Sequence, residues 1–248
     1  MSAPPIVVIS LARATERRQA VTAHLGAQQL PFEFMDAIDK RTLSDVERER
    51  VVANEYVLNT GREATDGEIA CFASHRKAWG LCAQSGAAMV IMEDDFTLAT
   101  NFSDAIAVAS RCIDACGFIR FQSETRAQKK KFKEDGEHTV WRYTKAPHSL
   151  AGYMLLPRAA EALIQHSEEF IGPADVYTKM FWLHRQVMYG VSPYSVWDSD
   201  FSSASDIGAR PKAQKDLLTR LLRPIRKLSH WRQRVVANRA ISDAPNIS

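Results

Sequence analysis

The sequence predicts an α/β fold with a mostly parallel central sheet flanked by helices and a basic amphipathic helical tail. Three observations carry this expectation. Short apolar runs of strand length recur along the chain, stretches with helical spacing separate them, and one run stops abruptly at three adjacent carboxylates. In such folds ligands gather at the carboxyl ends of the strands. The 248 residues suit one large domain or two small ones, with ample chain for a buried core. With 46% hydrophobic and 25% charged residues the chain has ordinary globular composition, which excludes disordered, collagen-like and coiled-coil classes. No apolar run approaches the roughly 20 residues of a membrane span. Met1-Ser2-Ala3-Pro4-Pro5 lacks the features of a signal peptide, so a cytoplasmic protein is expected. Cys71, Cys82, Cys112 and Cys116 form neither a disulfide framework nor a paired zinc spacing, and buried thiols are expected.

Ile6-Val7-Val8-Ile9 reads as a buried strand, followed by a helix over 15–28. Phe32-Glu33-Phe34 alternates like a second strand, and the charged stretch from Asp36 to Gly61 has little periodicity. Thr65-Asp66-Gly67-Glu68 has the form of a capping box and starts a helix that runs to about 84, where Ser85-Gly86 ends it. Offsets of three and seven residues set Glu68, Cys71 and His75 on one stripe, flanked by Phe72 and Trp79. The apolar run over 87–92 is a strand closed by Glu93-Asp94-Asp95. Further strands are expected over 117–122, 150–156 and 187–191, with helices over 101–115 and 157–167; Pro157 suits a first helical turn.

Three adjacent acids at the end of a buried strand repel one another and lose hydration. Two readings follow from the residues alone: a solvated acidic turn, or a site for a divalent cation that compensates them and leaves positions open to phosphate oxygens. Asp198-Ser199-Asp200 is a rival acidic pair without so clear a strand before it.

Val8-Ile9-Ser10-Leu11 with Arg13, Glu16 and Arg17, then Asp36-Ala37-Ile38-Asp39, then Gly67-Glu68-Ile69-Ala70-Cys71 through Ser74-His75, and finally Val90-Ile91-Met92-Glu93-Asp94-Asp95 form four blocks. In order and spacing they resemble glycosyltransferase family 25, which includes bacterial lipooligosaccharide galactosyltransferases and relatives of the collagen galactosyltransferases. Ala151-Gly152-Tyr153, Pro173-Ala174-Asp175 and Ser205-Asp206-Ile207 resemble its later motifs, so the likeness spans about 200 residues. The resemblance implies a GT-A-like nucleotide-sugar transferase fold over 1–208, a UDP-sugar donor, Mn²⁺ or Mg²⁺ held by Asp95 and Glu93, and inversion at the sugar. It implies that Asp94 faces the ribose or sugar and that Asp175 is the base at the acceptor hydroxyl. Asp175 alternatively caps a helix starting at Val176.

Ser10, Leu11, Arg13 and Arg17 stand where a nucleotide is expected, and Arg grips a diphosphate in a bidentate manner; the alternative is surface charge. Asp39 holds uridine or ribose, or sets a turn. Ser74 and His75 point at the donor pocket on the resemblance, whereas His75 alone also reads as a half-buried, hydrogen-bonded residue and Glu68 as a capping partner only. Two departures from the pattern stand out: Ala70 replaces a glycine, and Pro193-Tyr194-Ser195-Val196-Trp197-Asp198 lacks an expected glutamine.

From Arg210 to Arg239 ten cationic residues face Asp216 alone, so this stretch carries +9 and the rest of the chain −6 of the net +3. The tail over 209–248 is therefore read as a separate element. Leu217, Leu218, Leu221, Leu222, Ile225, Leu228, Trp231 and Val235 recur at helical spacing, and Pro224 is expected to split the tail into two short helices. Such helices suit anionic membrane surfaces, which places the protein peripherally on the cytoplasmic face of the inner membrane. Packing on the body and nucleic-acid contact are the rivals. Lys129-Lys130-Lys131-Phe132-Lys133 suits an anionic acceptor or a solvated surface. The expected activity moves a hexose, galactose first, from a UDP-sugar to a lipid-linked oligosaccharide acceptor of lipooligosaccharide or lipopolysaccharide. A metal-dependent nucleotidyltransferase and a catalytically silent glycan- or lipid-binding relative are the alternatives.

Overall fold

The structure, a computed structural model, describes residues 3–122, 127–199 and 217–242. The Ser205-Asp206-Ile207 motif, Asp200, the boundary near 208 and the basic residues Arg210, Lys212 and Lys215 lie outside them. In chain order β1 (Ile6–Ser10), α1 (Thr15–Ala27) and β2 (Glu33–Asp36) lead through a 3-10 turn (Lys40–Thr42) to α2 (Asp45–Glu49), α3 (Ala53–Thr60) and α4 (Asp66–Ser85). Next come β3 (Met89–Met92), β4 (Phe96–Leu98), α5 (Phe102–Cys116) and β5 (Phe118–Arg120), then a hairpin of β6 (Gln128–Asp135) and β7 (His138–Lys145). β8 (Gly152–Leu155), α6 (Pro157–Gln165), α7 (Ala174–Thr178), α8 (Phe181–His184), β9 (Tyr189–Ser192), β10 (Val196–Asp198) and α9 (Leu217–Ser242) complete the described chain.

The main sheet has the order β2-β1-β3-β8-β5-β9-β7-β6. β1 pairs in parallel with β2 and β3, and β5 with β9. β8 runs against β3 and β5, and β7 against β9 and β6. Six of the eight strands thus share one direction, the expected majority sense, with β8 and β7 reversed. β4 and β10 form a separate two-stranded ribbon. Every residue of β1, β3 and β8 is buried, as continuous apolar runs are when both faces of a sheet are covered. Sealing side chains such as Val8, Ile91 and Met154 from water contributes about 1.5–3 kcal/mol each.

The capping box at Thr65 forms as expected, and Gly86 ends α4 at φ +69°, a left-handed value that glycine adopts without strain. Along α4, Phe72 stacks on Phe170 with ring centroids 4.1 Å apart and meets Trp79 edge-on. That packing fixes the rotation of α4 and turns its polar stripe toward β3.

One expectation is corrected. Pro224 does not divide the tail: α9 is one helix with an exposed Pro224 inside it, which removes one backbone donor without ending the helix. The lysine run forms the edge strand β6, mostly exposed as the solvated reading expects, where charged residues deter pairing with other chains. Lys129 lies over the Trp141 ring at 4.4 Å and donates to the Tyr194 hydroxyl. Asp135-Gly136, with Gly136 at φ +60°, is the turn signal that marks this hairpin in the sequence.

Candidate functional site

β1 and β3 end side by side, and the loops leaving them form an open cleft of about 660 Å³. Ser10, Leu11, Arg13 and Arg17 come from β1 and α1, Asp39 from the loop after β2, Ser74 and His75 from α4, and Glu93, Asp94 and Asp95 from the end of β3; all ten line it. Only Asp175 stands elsewhere among the singled-out residues.

Asp94 is buried and already bonded. Ser10 Oγ donates to its Oδ2 at 2.6 Å and Arg17 to its Oδ1 at 3.0 Å, so it ties the ends of β1 and β3 together. Burial raises its carboxyl above the usual range, against the pull of Ser10 and Arg17. Arg18, which the sequence reading passed over, donates to the Ser10 carbonyl at 2.9 Å and pairs with Asp36. The Arg13 guanidinium donates to Asp39 at 2.8 Å and holds its carboxyl at about 2, helped by the Arg41 amide. Asp39 also caps the 3-10 turn, the local role weighed for it. Ser74 Oγ accepts from the Ile38 amide at 2.9 Å and donates to the Ala70 carbonyl at 2.7 Å, which anchors that loop to α4.

His75 is buried in a continuous chain. Trp79 Nε1 donates to the Tyr153 hydroxyl at 2.9 Å, that hydroxyl meets His75 Nδ1 at 3.0 Å, and His75 Nε2 meets Glu93 Oε1 at 2.9 Å. Trp79 can only donate, so the pattern that satisfies every buried group runs Trp79 to Tyr153 to His75 to Glu93. Metal-ligating atoms of Cys71, His75 and Glu93 lie within 4.8 Å of one another. A metal on Nε2 would move the ring proton to Nδ1 and leave the Tyr153 hydroxyl no acceptor, so the hydrogen-bond accounting favours the chain. Burial, then nearby carboxylates, push the Cys71 thiol well up, which keeps it protonated.

Asp95 differs from its neighbours. Burial and the carboxylates of Glu93, Asp94 and Asp198 raise it to about 7, with Arg17 opposing. Asp198 arrives because β10 pairs with β4, setting Asp198 opposite Phe96 while the Ser199 amide donates to the Asp95 carbonyl at 2.9 Å. Asp198 thus adjoins the first acidic group. Gln122 donates to Asp198 at 2.9 Å and takes a bond from the buried Arg120, so a glutamine does reach the segment that lacks its own. An arginine inside a predicted strand was the signal for this pair.

Glu68 does more than cap. Arg62 grips it, and the Tyr56 hydroxyl donates to it at 3.0 Å. Burial pushes its carboxyl up, but Arg62 outweighs that and it ends below the usual range. Cys71 and Glu93 also line a second cavity of about 810 Å³ that Asp175 faces from α7. The capping alternative for Asp175 is corrected, because Pro173 holds the cap position. His148 Nδ1 lies 3.1 Å from Asp175, and Lys179 reaches His148 at 2.7 Å. Burial raises the Asp175 carboxyl, yet His148 and Lys179 hold it below the usual range, and burial lowers Lys179 to about 8.

The model of "Glycosyltransferase family 25 (LPS biosynthesis protein)" matches residues 3–178. The lipooligosaccharide biosynthesis protein lic2B of Haemophilus influenzae is 27% identical over 202 residues, covering 75% of this chain and 73% of its own. A putative glycosyltransferase of Haemophilus influenzae strain Rd is 29% identical over 164 residues, 64% of this chain and 56% of its own. A relative from Rattus norvegicus named a probable inactive glycosyltransferase 25 family member 3 is 33% identical over 102 residues, 39% of this chain and 18% of its own. The helix-flanked mixed sheet agrees with the GT-A-like architecture that this match implies, and the chain belongs to glycosyltransferase family 25.

Proposed function

We propose that the chain moves a hexose, galactose first, from a UDP-sugar to a saccharide acceptor of lipooligosaccharide or lipopolysaccharide, with inversion and with the help of a divalent cation. The observation that carries the reading is Asp95. Its carboxylate is raised to about 7 in the midst of Glu93, Asp94 and Asp198, an arrangement that a Mn²⁺ or Mg²⁺ ion compensates. The donor set is all oxygen and fits such hard cations, with Asp95 and the second carboxylate oxygen of Glu93 as the holders. A bound ion supplies positive charge against the diphosphate as the leaving group departs.

The chain's own residues do the rest. Arg13 and Arg17 at the cleft wall present cations to the diphosphate, and Asp94 fixes Arg17. Asp175, kept ionised by His148 and Lys179, takes the proton of the acceptor hydroxyl in the adjoining cavity. The bond from the sugar to UDP breaks as the bond to that hydroxyl oxygen forms. The inactive names among the relatives favour one second reading, a silent binder. A thermal-shift panel of UDP-sugars with and without Mn²⁺, followed by assay of UDP release with saccharide acceptors, tests the proposal. A donor at about a hundred times its Kd stabilises by about 2.7 kcal/mol, roughly 5–10 °C here. A Mn²⁺-dependent shift with UDP release supports transfer. A shift without release selects the silent binder, pyrophosphate release in a parallel assay with UTP and a sugar 1-phosphate selects the nucleotidyltransferase, and no shift overturns the reading.

A further inference from the structure

α9 is inverted relative to a helix that merely packs on its own domain. It rests on α3, α8 and β7 through polar groups. Arg226 pairs with Glu55, Arg223 donates to the Thr60 carbonyl at 3.0 Å, Asn238 donates to the Thr144 carbonyl at 2.9 Å, and the His230 ring lies 5.3 Å from that of Trp182. Several of its apolar side chains face away: Leu221, Ile225 and Val236 are 69%, 63% and 65% exposed, and Leu228 and Trp231 are about half exposed, while Val235 and Ile241 are half-buried. Steps of four, seven and fifteen residues from Leu221 reach Ile225, Leu228 and Val236, which at 3.6 residues per turn fall in one narrow arc. Arg220, Lys227, Arg232 and Arg239 are exposed on the same helix, and from Leu217 to Ser242 it has no acidic residue.

We propose that this outward face docks on an anionic lipid bilayer, its apolar side chains entering the boundary of headgroups and acyl chains and its cations meeting the lipid phosphates. Charge selects the occupant. Two copies joined through this stripe would bring their cations together with no acid on either helix, whereas an anionic bilayer offers both an apolar layer and the opposite charge. No described helix is long and apolar enough to cross a membrane, so the helix lies along the surface. The inference stands apart from the transferase reading, and its test needs no donor.

The test is sedimentation of the full chain with phosphatidylglycerol-containing vesicles and with neutral phosphatidylcholine vesicles, at low and high salt. The wild type is expected to bind the anionic vesicles, to bind the neutral ones far less, and to release with salt. Leu221→Ser/Ile225→Ser/Leu228→Ser lowers binding by more than about tenfold while the melting temperature stays close to wild type. Lys227→Glu/Arg232→Glu, at two exposed positions, lowers it as well and weakens the salt dependence. Equal binding of either variant and the wild type overturns the proposal. So does a wild-type dimer, seen by light scattering and split by the triple serine variant, or retention on an oligonucleotide in place of vesicles.

Discussion

Replacing Asp95 with asparagine is expected to stabilise the metal-free protein at neutral and alkaline pH while abolishing its response to Mn²⁺. In the fold the Asp95 carboxyl is raised from 3.8 to about 7, chiefly by burial and then by Glu93, Asp94 and Asp198. A group that binds its proton more tightly in the folded state contributes stability below its ordinary pKa. That contribution is lost as the pH climbs to the folded value, here from about 4 to about 7. A rise of about three units corresponds to about 4 kcal/mol, and the partial exposure of the side chain reduces this to about 2–4 kcal/mol. Asparagine resembles the protonated acid and does not titrate. The stability difference between Asp95→Asn and wild type is therefore expected near zero at pH 4 and in favour of the variant by about 2–4 kcal/mol at pH 8. Urea unfolding at four pH values, with chelator and then with Mn²⁺, reads it directly. A difference that does not grow with pH, or a variant that still answers to Mn²⁺, would refute the argument.

Arg62→Met strands the Glu68 carboxylate, whose side chain is 2% exposed, and is expected to cost about 3–5 kcal/mol at pH 7 in urea unfolding, with the loss shrinking as acid protonates Glu68. Tyr153→Phe removes the hydroxyl that accepts from Trp79 and meets His75, at an expected cost of about 1–3 kcal/mol of stability. Weaker donor binding in the thermal-shift panel should accompany it, because the His75 tautomer that donates to Glu93 is no longer held by Tyr153. Asp175→Asn is expected to lower kcat by more than about a hundredfold with donor KM within about threefold; equal losses in both would make Asp175 a binding group and not the base.

The sequence reading reached farthest where local signals were strong. The capping box at Thr65, the terminating Gly86 and the apolar runs of β1 and β3 each specify an element within a few residues, and these elements, with α1 and the loop after β2, carry ten of the eleven singled-out side chains to one cleft. It fell short where pairing partners are distant in the chain. The reversal of β8 between β3 and β5 leaves no trace in an apolar run, because a strand buried on both faces looks the same in either direction. The role of Arg18 was hidden by the resemblance of any single arginine to surface charge. Likewise, only long-range packing shows that the polar face of α9 is the one that docks on the body, against the usual inference from helical periodicity.

Asp198 illustrates how such distance becomes chemistry. Read along the chain, its acid-x-acid motif competes with Glu93-Asp94-Asp95 for the same cation. In the fold, the pairing of β10 with β4 brings it beside Asp95, and Gln122, steadied by the buried Arg120, orients it. Most other polar groups in the cleft are matched internally: Asp94 by Ser10 and Arg17, Asp39 by Arg13, Ser74 by two backbone groups, Glu93 by His75. A region whose charges are so thoroughly paired nevertheless leaves Asp95 raised to about 7 beside an Asp94 that burial also raises, so its electrostatic cost gathers at one point. Strain of that kind persists where a bound cation or a reaction relieves it. That point lies at the carboxyl end of β3 in the cleft reached by Arg13 and Arg17, and Glu93 beside it also lines the cavity faced by Asp175, so the proposed transfer places the sugar at their junction.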